Sequence, residues 1–333
     1  MASKRKAIVH VVNTGGTIAS RFDPAAAGWR STATAAELIA CVPELPDIAE
    51  LRMVEHSQLN GYRIDTRTVF ELTLRLRKLL AQDDVDGVVV THGTATLEET
   101  AYLLDVTLNS PKPVVITGAQ RRFDDPGADG PMNLFSAVRL AADPAAREHG
   151  VLAVFDSRIY SARDVAKVHT HSLAAFDGRD GGAIGHSSRD GVLLLARPER
   201  RVHLPVERIV ENVQLVKLVQ GGDDLLLRAC VLAPVAGIVL EGISSGHAHD
   251  PAYAAIRDAL AAGIPVVTVP RVLSGGNNLG GTQYAHPGSI QTLIREGVIA
   301  GGFLSGLKAR ILLMVALATT RDRDHLQEIF SRA

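Results

Sequence analysis

The sequence predicts an α/β protein of two domains, a larger N-terminal one with a mostly parallel sheet flanked by helices and a smaller C-terminal α/β one. Two observations carry this prediction. Short apolar runs alternate with stretches of helical periodicity, which is typical of parallel strands that helices cover on both faces. The alternation resumes after residue 222, and 333 residues suffice for about two domains.

The predicted strands are short runs rich in β-branched residues. They are Ile8–Val12, Gly87–Val90, Val114–Ile116, Val151–Phe155, Gly237–Leu240 and Val266–Val269. The clearest helix is Thr66–Ala81, because its apolar residues recur at helical spacing and form one stripe. That stripe consists of Val69, Leu72, Leu76 and Leu79.

The domain boundary is predicted from a change in composition. The chain becomes rich in Arg, Pro and Gly between residues 197 and 222, and a new strand–helix alternation begins afterwards. We therefore place the N-terminal domain at residues 1–205, a linker at 206–222 and the C-terminal domain at 223–333. Asp23–Gly28 is predicted to be a mobile surface loop, which would suit a lid over an active site.

Charge and cysteine content exclude several classes of protein. Lys and Arg number 35 against 36 Asp and Glu, so a net charge of −1 argues against nucleic-acid or membrane-surface partners. Cys41 and Cys230 allow one disulfide but no disulfide framework or Cys-rich metal site. No apolar run approaches the roughly 20 residues of a membrane span, and the N-terminal run is too short for a signal peptide. We therefore expect a cytoplasmic protein.

Two turns rich in Gly and Thr follow predicted strands. The first, Thr14–Ala19, reads TGGTIA, and its glycines let the backbone turn tightly while Thr17 presents a hydroxyl at the sheet edge. A simple glycine turn, or one that cradles a phosphate, remains an alternative interpretation. The second, Thr91–Thr96, reads THGTAT and places Thr94 and Ala95 just before a helix N-terminus. Free amides there suit a carboxylate or an oxyanion.

Several polar residues near these turns have structural interpretations. Thr96 begins a capping-box pattern, so Glu98 and Glu99 are interpreted as helix-capping residues. His92 is interpreted as a buried histidine with hydrogen-bond partners. Lys167 is one of only seven lysines in an arginine-rich chain, and a desolvated lysine can act as a base where arginine cannot. A surface lysine is the alternative.

The histidines do not indicate a metal site. Those considered as ligands lie in separate predicted loops, and their spacing matches no known ligand motif. They are His169, His171, His247, His249 and His286. We therefore expect no metal.

The two turns resemble the two signatures of the bacterial-type L-asparaginases, the asparaginase/glutaminase family. Thr14–Ala19 resembles the first signature, and Thr91–Thr100, reading THGTATLEET, resembles the second. Further segments resemble the family pattern in the same order over nearly the full chain. They are Ser57-Gln58, Thr117–Arg121, Asp129–Leu134, Ala162–Lys167 and Gly306–Leu313.

The resemblance implies two α/β domains, no cofactor, and homodimers usually paired into homotetramers whose active sites are shared between subunits. It implies that Thr17 is the nucleophile and forms an acyl-enzyme, while Thr94 and Lys167 form a second catalytic group. Amides near Ala95 would bind the oxyanion. The expected substrate-binding residues are Gly16, Trp29, Ser57, Gln58, Gly93, Ala95, His247, Tyr284 and His286, and Asn60 and Tyr62 could add contacts.

The chain departs from the family pattern where the family binds an α-ammonium group. Ala95 replaces an aspartate, and the region between Arg271 and Glu296, where the neighbouring subunit usually supplies an acid, contains no Asp or Glu. Trp29 stands near the place of the lid tyrosine, and His247 about where an asparagine is usual.

These departures lead to a hypothesis about the substrate. A buried ammonium group needs opposite charge, so the expected substrate is a small amide without a free α-ammonium. Candidates are a succinamate-like acid amide, an N-acylated amino-acid amide or a cyclic imide. One alternative is an asparaginase or glutaminase inactivated by an engineered Asp-to-Ala change at Ala95; the other is a non-catalytic ligand-binding relative. The distant missing acid argues against the first, and the presence of Thr17, Thr94 and Lys167 against the second.

Overall fold

A computed structural model describes residues 5–233, 235–277, 284 and 286–333. The chain divides into two compact units, and the boundary along the chain falls between Glu199 and Arg200. The strands of the first unit are β1 (Ala7–Gly15), β2 (Ser20–Asp23), β3 (Gly28–Ser31), β4 (Ala49–Leu59), β5 (Gly87–Thr91), β6 (Val114–Thr117), β7 (Val151–Phe155), β8 (Arg158–Ser161), β9 (Ala166–Lys167), β10 (Phe176–Asp177), β11 (Gly185–Ser187) and β12 (Val192–Leu194). Its α-helices are α1 (Ala35–Ala40), α2 (Leu45–Ile48), α3 (Thr66–Leu80), α4 (Leu97–Thr107) and α5 (Gly130–Ala142).

The main sheet of the first unit has the strand order β12-β11-β8-β7-β6-β5-β1-β4 among the described residues. Strands β4, β1, β5, β6 and β7 are parallel, and the three remaining strands extend one edge in antiparallel fashion. Both faces of the central strands are buried. In β5, Val89 packs into one core together with α5, whereas Val88 and Val90 pack into another together with α3 and α4. Burial on two faces explains why the central strands are continuously apolar in sequence.

The second unit is a smaller α/β unit. Its strands are β13 (Val213–Lys217), β14 (Gly237–Gly242), β15 (Val266–Pro270) and β16 (Ile299–Ala300), and its helices are α6 (Leu225–Leu232), α7 (Asp250–Ala261), α8 (Ile290–Arg295), α9 (Gly306–Ala316) and α10 (Arg323–Ser331). The four described strands pair in chain order and are all parallel. One core packs α6 and α7 against this sheet. The predicted fold class is confirmed.

The predicted elements agree with the structure. Each of the six predicted strands lies within an observed strand, and the helix predicted at Thr66–Ala81 is α3, with Asp65 capping its first turn. Strand β13 lies inside the predicted linker 206–222 and hydrogen-bonds to β14. That strand lies at the sheet edge and includes the exposed polar residues Gln214 and Lys217, so it lacks the continuous apolar run by which we predicted the others.

The segment predicted as a surface loop at Asp23–Gly28 is the tip of a hairpin. Strands β2 and β3 pair in antiparallel fashion, with Phe22 opposite Trp29 and Asp23 opposite Gly28. The residues between the strands are exposed. Within the described part of the chain, no helix is long and apolar enough to cross a membrane.

Candidate active site

A turn with unusual backbone geometry follows β1 and carries Thr17. The pairing of β1 with β4 shifts in register between Asn13 and Gly15, and Gly15 and Gly16 have positive φ angles of 101° and 85°. The Asn13 side-chain oxygen accepts hydrogen bonds from the Gly15 amide at 3.1 Å and from the Thr91 hydroxyl at 3.0 Å. Because Thr91 ends β5, one buried side chain fastens the turn to the neighbouring strand.

Three glycine backbones lie in direct contact beside this turn. A Cβ on Gly16 would lie 2.4 Å from the Cα of Gly93, and a Cβ on Gly93 would lie 2.4 Å from the Cα of Gly61. Real Cβ atoms do not approach so closely, so any larger residue would push these segments apart. The contact brings the turn that carries Thr17 next to the turn that carries Thr94.

A cleft of about 240 Å³ opens at these turns. Its described lining consists of Thr17, Ser20, Trp29, Asn60, Gly61, Tyr62, Gly93, Thr94, Ala95 and Arg122. Thr17 is half-buried, and Thr94 is nearly buried, with 6% of its surface exposed. No carboxylate belongs to this described lining, whereas one guanidinium does. The cleft therefore carries no local anion to pair with an ammonium group.

Thr94 belongs to a hydrogen-bonded cluster with Lys167 and Gln120. The Lys167 Nζ lies 2.7 Å from the Thr94 Oγ1, and the Gln120 Oε1 lies 3.1 Å from each of those two atoms. The Gln120 amide nitrogen donates to the carbonyl of Ser172 at 3.0 Å, which fixes the direction of its side chain. Gln120 thus presents a neutral acceptor to both the amine and the hydroxyl.

Burial lowers the pKa of Lys167 from its ordinary value of 10.5. Desolvation disfavours the charged ammonium form, and no carboxylate contributes to the shift. The backbone of this residue is fixed as well, because the Lys167 amide donates to the Glu98 Oε1 at 3.2 Å and β9 pairs with β10. Burial therefore shifts Lys167 towards the neutral amine, which can accept a proton.

The predicted capping box is not formed. Helix α4 does begin after Thr96, but the Thr96 side chain makes no capping bond and instead donates to the carbonyl of Gly61 at 2.9 Å. Glu98 is nearly buried and accepts from Lys167 rather than capping the helix. A tertiary hydrogen bond stands in place of the local capping bond, which the local pattern could not reveal.

His92 is a buried, hydrogen-bonded histidine, as predicted. Its Nδ1 donates to the carbonyl of Gly93 at 2.8 Å, and its Nε2 lies 3.0 Å from the Thr100 hydroxyl. Complete burial lowers its pKa from 6.5 to about 4, so the ring is neutral at pH 7. Its hydrogen bond to Gly93 supports the backbone of the second turn.

The other predicted substrate-binding residues of the first unit differ in position. Trp29, Gly93 and Ala95 line the cleft, and Gly16 packs against Gly93 in its wall. Ser57 donates its hydroxyl to the carbonyl of Thr14 at 2.9 Å, and Gln58 is exposed near the end of β4. Neither Ser57 nor Gln58 belongs to the described lining of the cleft. Their predicted role in binding a carboxylate stays a prediction.

The remaining predicted residues belong to the second unit. The rings of His247 and Tyr284 meet edge to face at 5.5 Å, and the Nε2 of His286 lies 3.1 Å from the Asp250 carboxylate. His247 also accepts from the amide of Ile290 at 3.1 Å. Their role toward a substrate stays a prediction. The rest of the predicted C-terminal loop, residues 278–283 and 285, lies outside the described residues.

Sequence reasoning missed three residues of the site. Gln120 and Arg122 contact the predicted residues but carried no assigned role, and Glu98 was interpreted only as a helix-capping residue. Gln120 is 47 positions from Lys167 along the chain, and Glu98 is 69 positions from it. Only the fold brings them together, although the polar residues of the segment 117–122 after β6 could have indicated a third loop at the same sheet edge. Among the described residues, no group of three or more His, Cys, Asp or Glu could hold a metal ion.

The fold and the position of the cleft, at the carboxyl edge of a parallel sheet, are those of a two-domain α/β enzyme. Comparison with known proteins identifies its kind. Residues 8–200 match the domain family described as "Asparaginase, N-terminal", and residues 212–330 match the "Glutaminase/Asparaginase C-terminal domain".

Full-length relatives agree with these matches. The L-asparaginase of Bacillus licheniformis is 36% identical over 94% of this chain and 96% of its own length. L-asparaginase 2 of Bacillus subtilis is 34% identical over 99% of this chain and 88% of its own length. The structure of the probable cytoplasmic L-asparaginase from Campylobacter jejuni superposes with a TM-score of 0.87 at 29% identity, covering 98% of this chain and 100% of that one. The chain belongs to the asparaginase/glutaminase family and is an asparaginase-like amidohydrolase.

Proposed function

We propose that the protein releases ammonia from a small carboxamide, with Thr17 as the nucleophile. The Thr17 oxygen attacks the amide carbonyl carbon, the C–N bond breaks, and the nitrogen takes a proton and leaves as ammonia. Water then adds to the resulting ester and frees both the carboxylic acid and the Thr17 hydroxyl. The observation that carries the proposal is the 2.7 Å contact between Lys167 and Thr94, because Thr94 lines the same cleft as Thr17.

Lys167 and Thr94 serve as the proton-transfer pair in this proposal. Burial favours the neutral amine, which accepts a proton from the Thr94 hydroxyl, and that hydroxyl in turn takes one from the attacking group. Gln120 holds the two groups in contact without adding a charge that would stabilise the ammonium form. Amides at the start of α4, near Ala95, stabilise the oxyanion.

The proposed substrate is an amide without a free α-ammonium group. Ala95 offers no charge, and the described lining of the cleft contains no Asp or Glu. Burying an unpaired ammonium there would cost several kcal/mol, at the scale of desolvating an uncompensated ion. Acid amides such as succinamate, N-acylated amino-acid amides and cyclic imides avoid that cost.

The test is an ammonia-release assay over a panel of substrates. The panel contains L-asparagine, succinamate and N-acetyl-L-asparagine. Ring opening of succinimide frees no ammonia, so it is followed separately as the formation of succinamate. We expect one of the substrates without an ammonium group to exceed L-asparagine in kcat/KM by at least about tenfold. Turnover of L-asparagine well above all of the others would overturn the substrate proposal.

The nucleophile is tested separately with the best substrate of that panel. Thr17→Val removes the hydroxyl and should abolish ammonia release, whereas Thr32→Val changes an exposed threonine outside the cleft lining and should retain it. Full activity of Thr17→Val would contradict the mechanism. If the wild type binds small amides tightly but turns none over, the protein is a binding module.

We also propose that the chain forms homodimers or homotetramers with shared active sites, and that it is cytoplasmic. Support for both comes from the family pattern, and the location is also that named for the Campylobacter jejuni relative. Light scattering should give a mass of two or four times 35.4 kDa, and a mass of 35.4 kDa would contradict the assembly.

A further inference from the structure

Arg122 lies in the wall of the cleft against Trp29. Its guanidinium carbon sits 3.8 Å from the centroid of the Trp29 ring, close enough for a cation–π contact. Both residues line the cleft that contains Thr17 and Thr94. Phe22 also packs against Trp29, and the two rings form an edge-to-face pair with centroids 5.4 Å apart. The hairpin therefore provides an aromatic face against which the guanidinium packs.

The charge of Arg122 is only partly compensated. Its Nη1 lies 3.3 Å from the Asp125 Oδ1, a long contact in which both side chains are partly exposed. The second carboxylate oxygen of Asp125 accepts from the Arg122 backbone amide instead. Asp125 is absent from the described lining of the cleft, where Arg122 is the only charged residue. A guanidinium has five N–H donors, so most of them stay available to a ligand.

This arrangement suits an anion and opposes a cation. A planar guanidinium binds a carboxylate through two parallel hydrogen bonds, and the Trp29 ring removes water from one of its faces. An ammonium group in the same cleft would meet the positive charge of Arg122 and no compensating acid among the described lining residues. The positive charge of Arg122 thus disfavours substrates with an ammonium group and favours substrates with a carboxylate.

We propose that Arg122 is a specificity-determining residue that binds a carboxylate of the substrate inside the cleft. The preferred substrates are then amides that carry a carboxylate and no ammonium group, rather than neutral amides or amino acids. The proposal rests on the proposed function and narrows its substrate class. Trp29 acts as the positioning residue that holds the guanidinium.

The experiment compares two arginines and two substrates. Arg122→Gln removes the charge from the cleft, and Arg121→Gln removes it from the adjacent exposed arginine, which donates to the carbonyl of Gly127 and does not line the cleft. The substrates are succinamate and its methyl ester, which differ in the charge of one end. We expect Arg122→Gln to lower kcat/KM for succinamate by about 10- to 100-fold and to change that for the ester less than about threefold. Arg121→Gln should leave both values unchanged.

Two results would overturn the inference. One is an equal loss of activity on both substrates in Arg122→Gln, which would indicate a structural role. The other is an unchanged preference for succinamate over its ester. Neither result touches the proposed nucleophile, because Thr17→Val is judged on its own.

Binding tests the inference even if no amide is turned over. Calorimetry with succinate should show at least about tenfold weaker binding to Arg122→Gln than to the wild type and Arg121→Gln. Equal affinity of succinate for all three proteins would overturn it. Failure of the amidase proposal and failure of the carboxylate site are therefore distinguishable.

Discussion

Lys167 determines how the activity should depend on pH. Its pKa is lowered by burial, and the active form is the neutral amine, so kcat/KM should rise with pH to a plateau reached below the ordinary lysine value of 10.5. Lys167→Arg keeps the positive charge but cannot release its proton, and should lower kcat/KM by about 10²- to 10⁴-fold. Ammonia release measured from pH 6 to pH 10 checks both statements.

A substitution of Gln120 serves as the control for the pH profile attributed to Lys167. Gln120→Glu puts a carboxylate within about 3 Å of the amine, which raises the pKa of Lys167 and should move the rising limb to higher pH. A profile of Gln120→Glu that coincides with that of the wild type would contradict the assignment of the limb to Lys167.

Ala95 distinguishes natural divergence from an engineered inactivation. Ala95→Asp restores one acid to the cleft while leaving Arg122 in place and the segment between Arg271 and Glu296 without acids. We expect it to raise kcat/KM for L-asparagine by less than about tenfold, because a single restored carboxylate faces an opposing cation. The measurement is ammonia release from L-asparagine, with Ala145→Asp, an exposed alanine outside the cleft, as control. Recovery to the level of the best substrate would favour an engineered origin.

At the scale of elements, the close contact among Gly16, Gly61 and Gly93 should make these positions intolerant of larger residues. Gly93→Ala forces a Cβ to within 2.4 Å of the Gly61 backbone and should destabilise the protein by about 1–3 kcal/mol while reducing activity. Gly191→Ala is the matched control, since nothing lies within 4 Å of its added Cβ, and should change stability by less than about 0.5 kcal/mol. Urea unfolding and ammonia release measure both effects. Wild-type stability and activity of Gly93→Ala would contradict the close contact.

The sequence predicted the central elements better than the edges of the sheet. Val88 and Val90 belong to an apolar run because helices bury both faces of β5. Such a run can be recognised as a strand from its own sequence, without knowledge of the strands beside it. Strand β4 lies at the edge, and after its first residue it contains only exposed and half-buried residues. The short strands β11 and β12 contain few residues from which to judge. Pairing order depends on contacts between distant segments, which local patterning does not encode.

The site likewise contains residues that could be predicted from the sequence and residues that could not. Thr17, Thr94 and Lys167 could be chosen because the segments that carry them resemble those of the family, whereas the Gly-rich turns and the rare lysine alone left other interpretations open. Gln120 and Arg122 could not, since their importance comes from lying against Lys167 and Trp29 in space. The cap predicted for Thr96 was wrong because the Gly61 carbonyl, 35 residues away, accepts its hydroxyl.

For the whole molecule, His92 links stability to pH. Its pKa falls from 6.5 to about 4 on folding, so the folded state binds fewer protons and loses stability as the pH falls from about 6.5 towards 4. That difference amounts to about 2 kcal/mol between pH 7 and pH 5. In His92→Gln, the difference in unfolding free energy between these pH values should shrink by about this amount. Urea unfolding at both pH values measures it.

The control for this prediction is His325→Gln. His325 is exposed in α10, so its replacement measures the effect of losing a histidine that is not buried. An unaltered pH dependence in His92→Gln would mean that other groups dominate the loss of stability in acid.

The pairing of β1 with β5 has a consequence for how the enzyme acquires its activity. The residues that these strands place side by side, such as Asn13 and Thr91, are separated by 78 positions, so a large loop must close before they meet. Hydrolysis therefore cannot begin in a partly folded chain that lacks this pair. After dilution from denaturant, free ammonia should therefore not appear before the centre of the sheet has assembled, and no spectroscopic label is needed to follow its release.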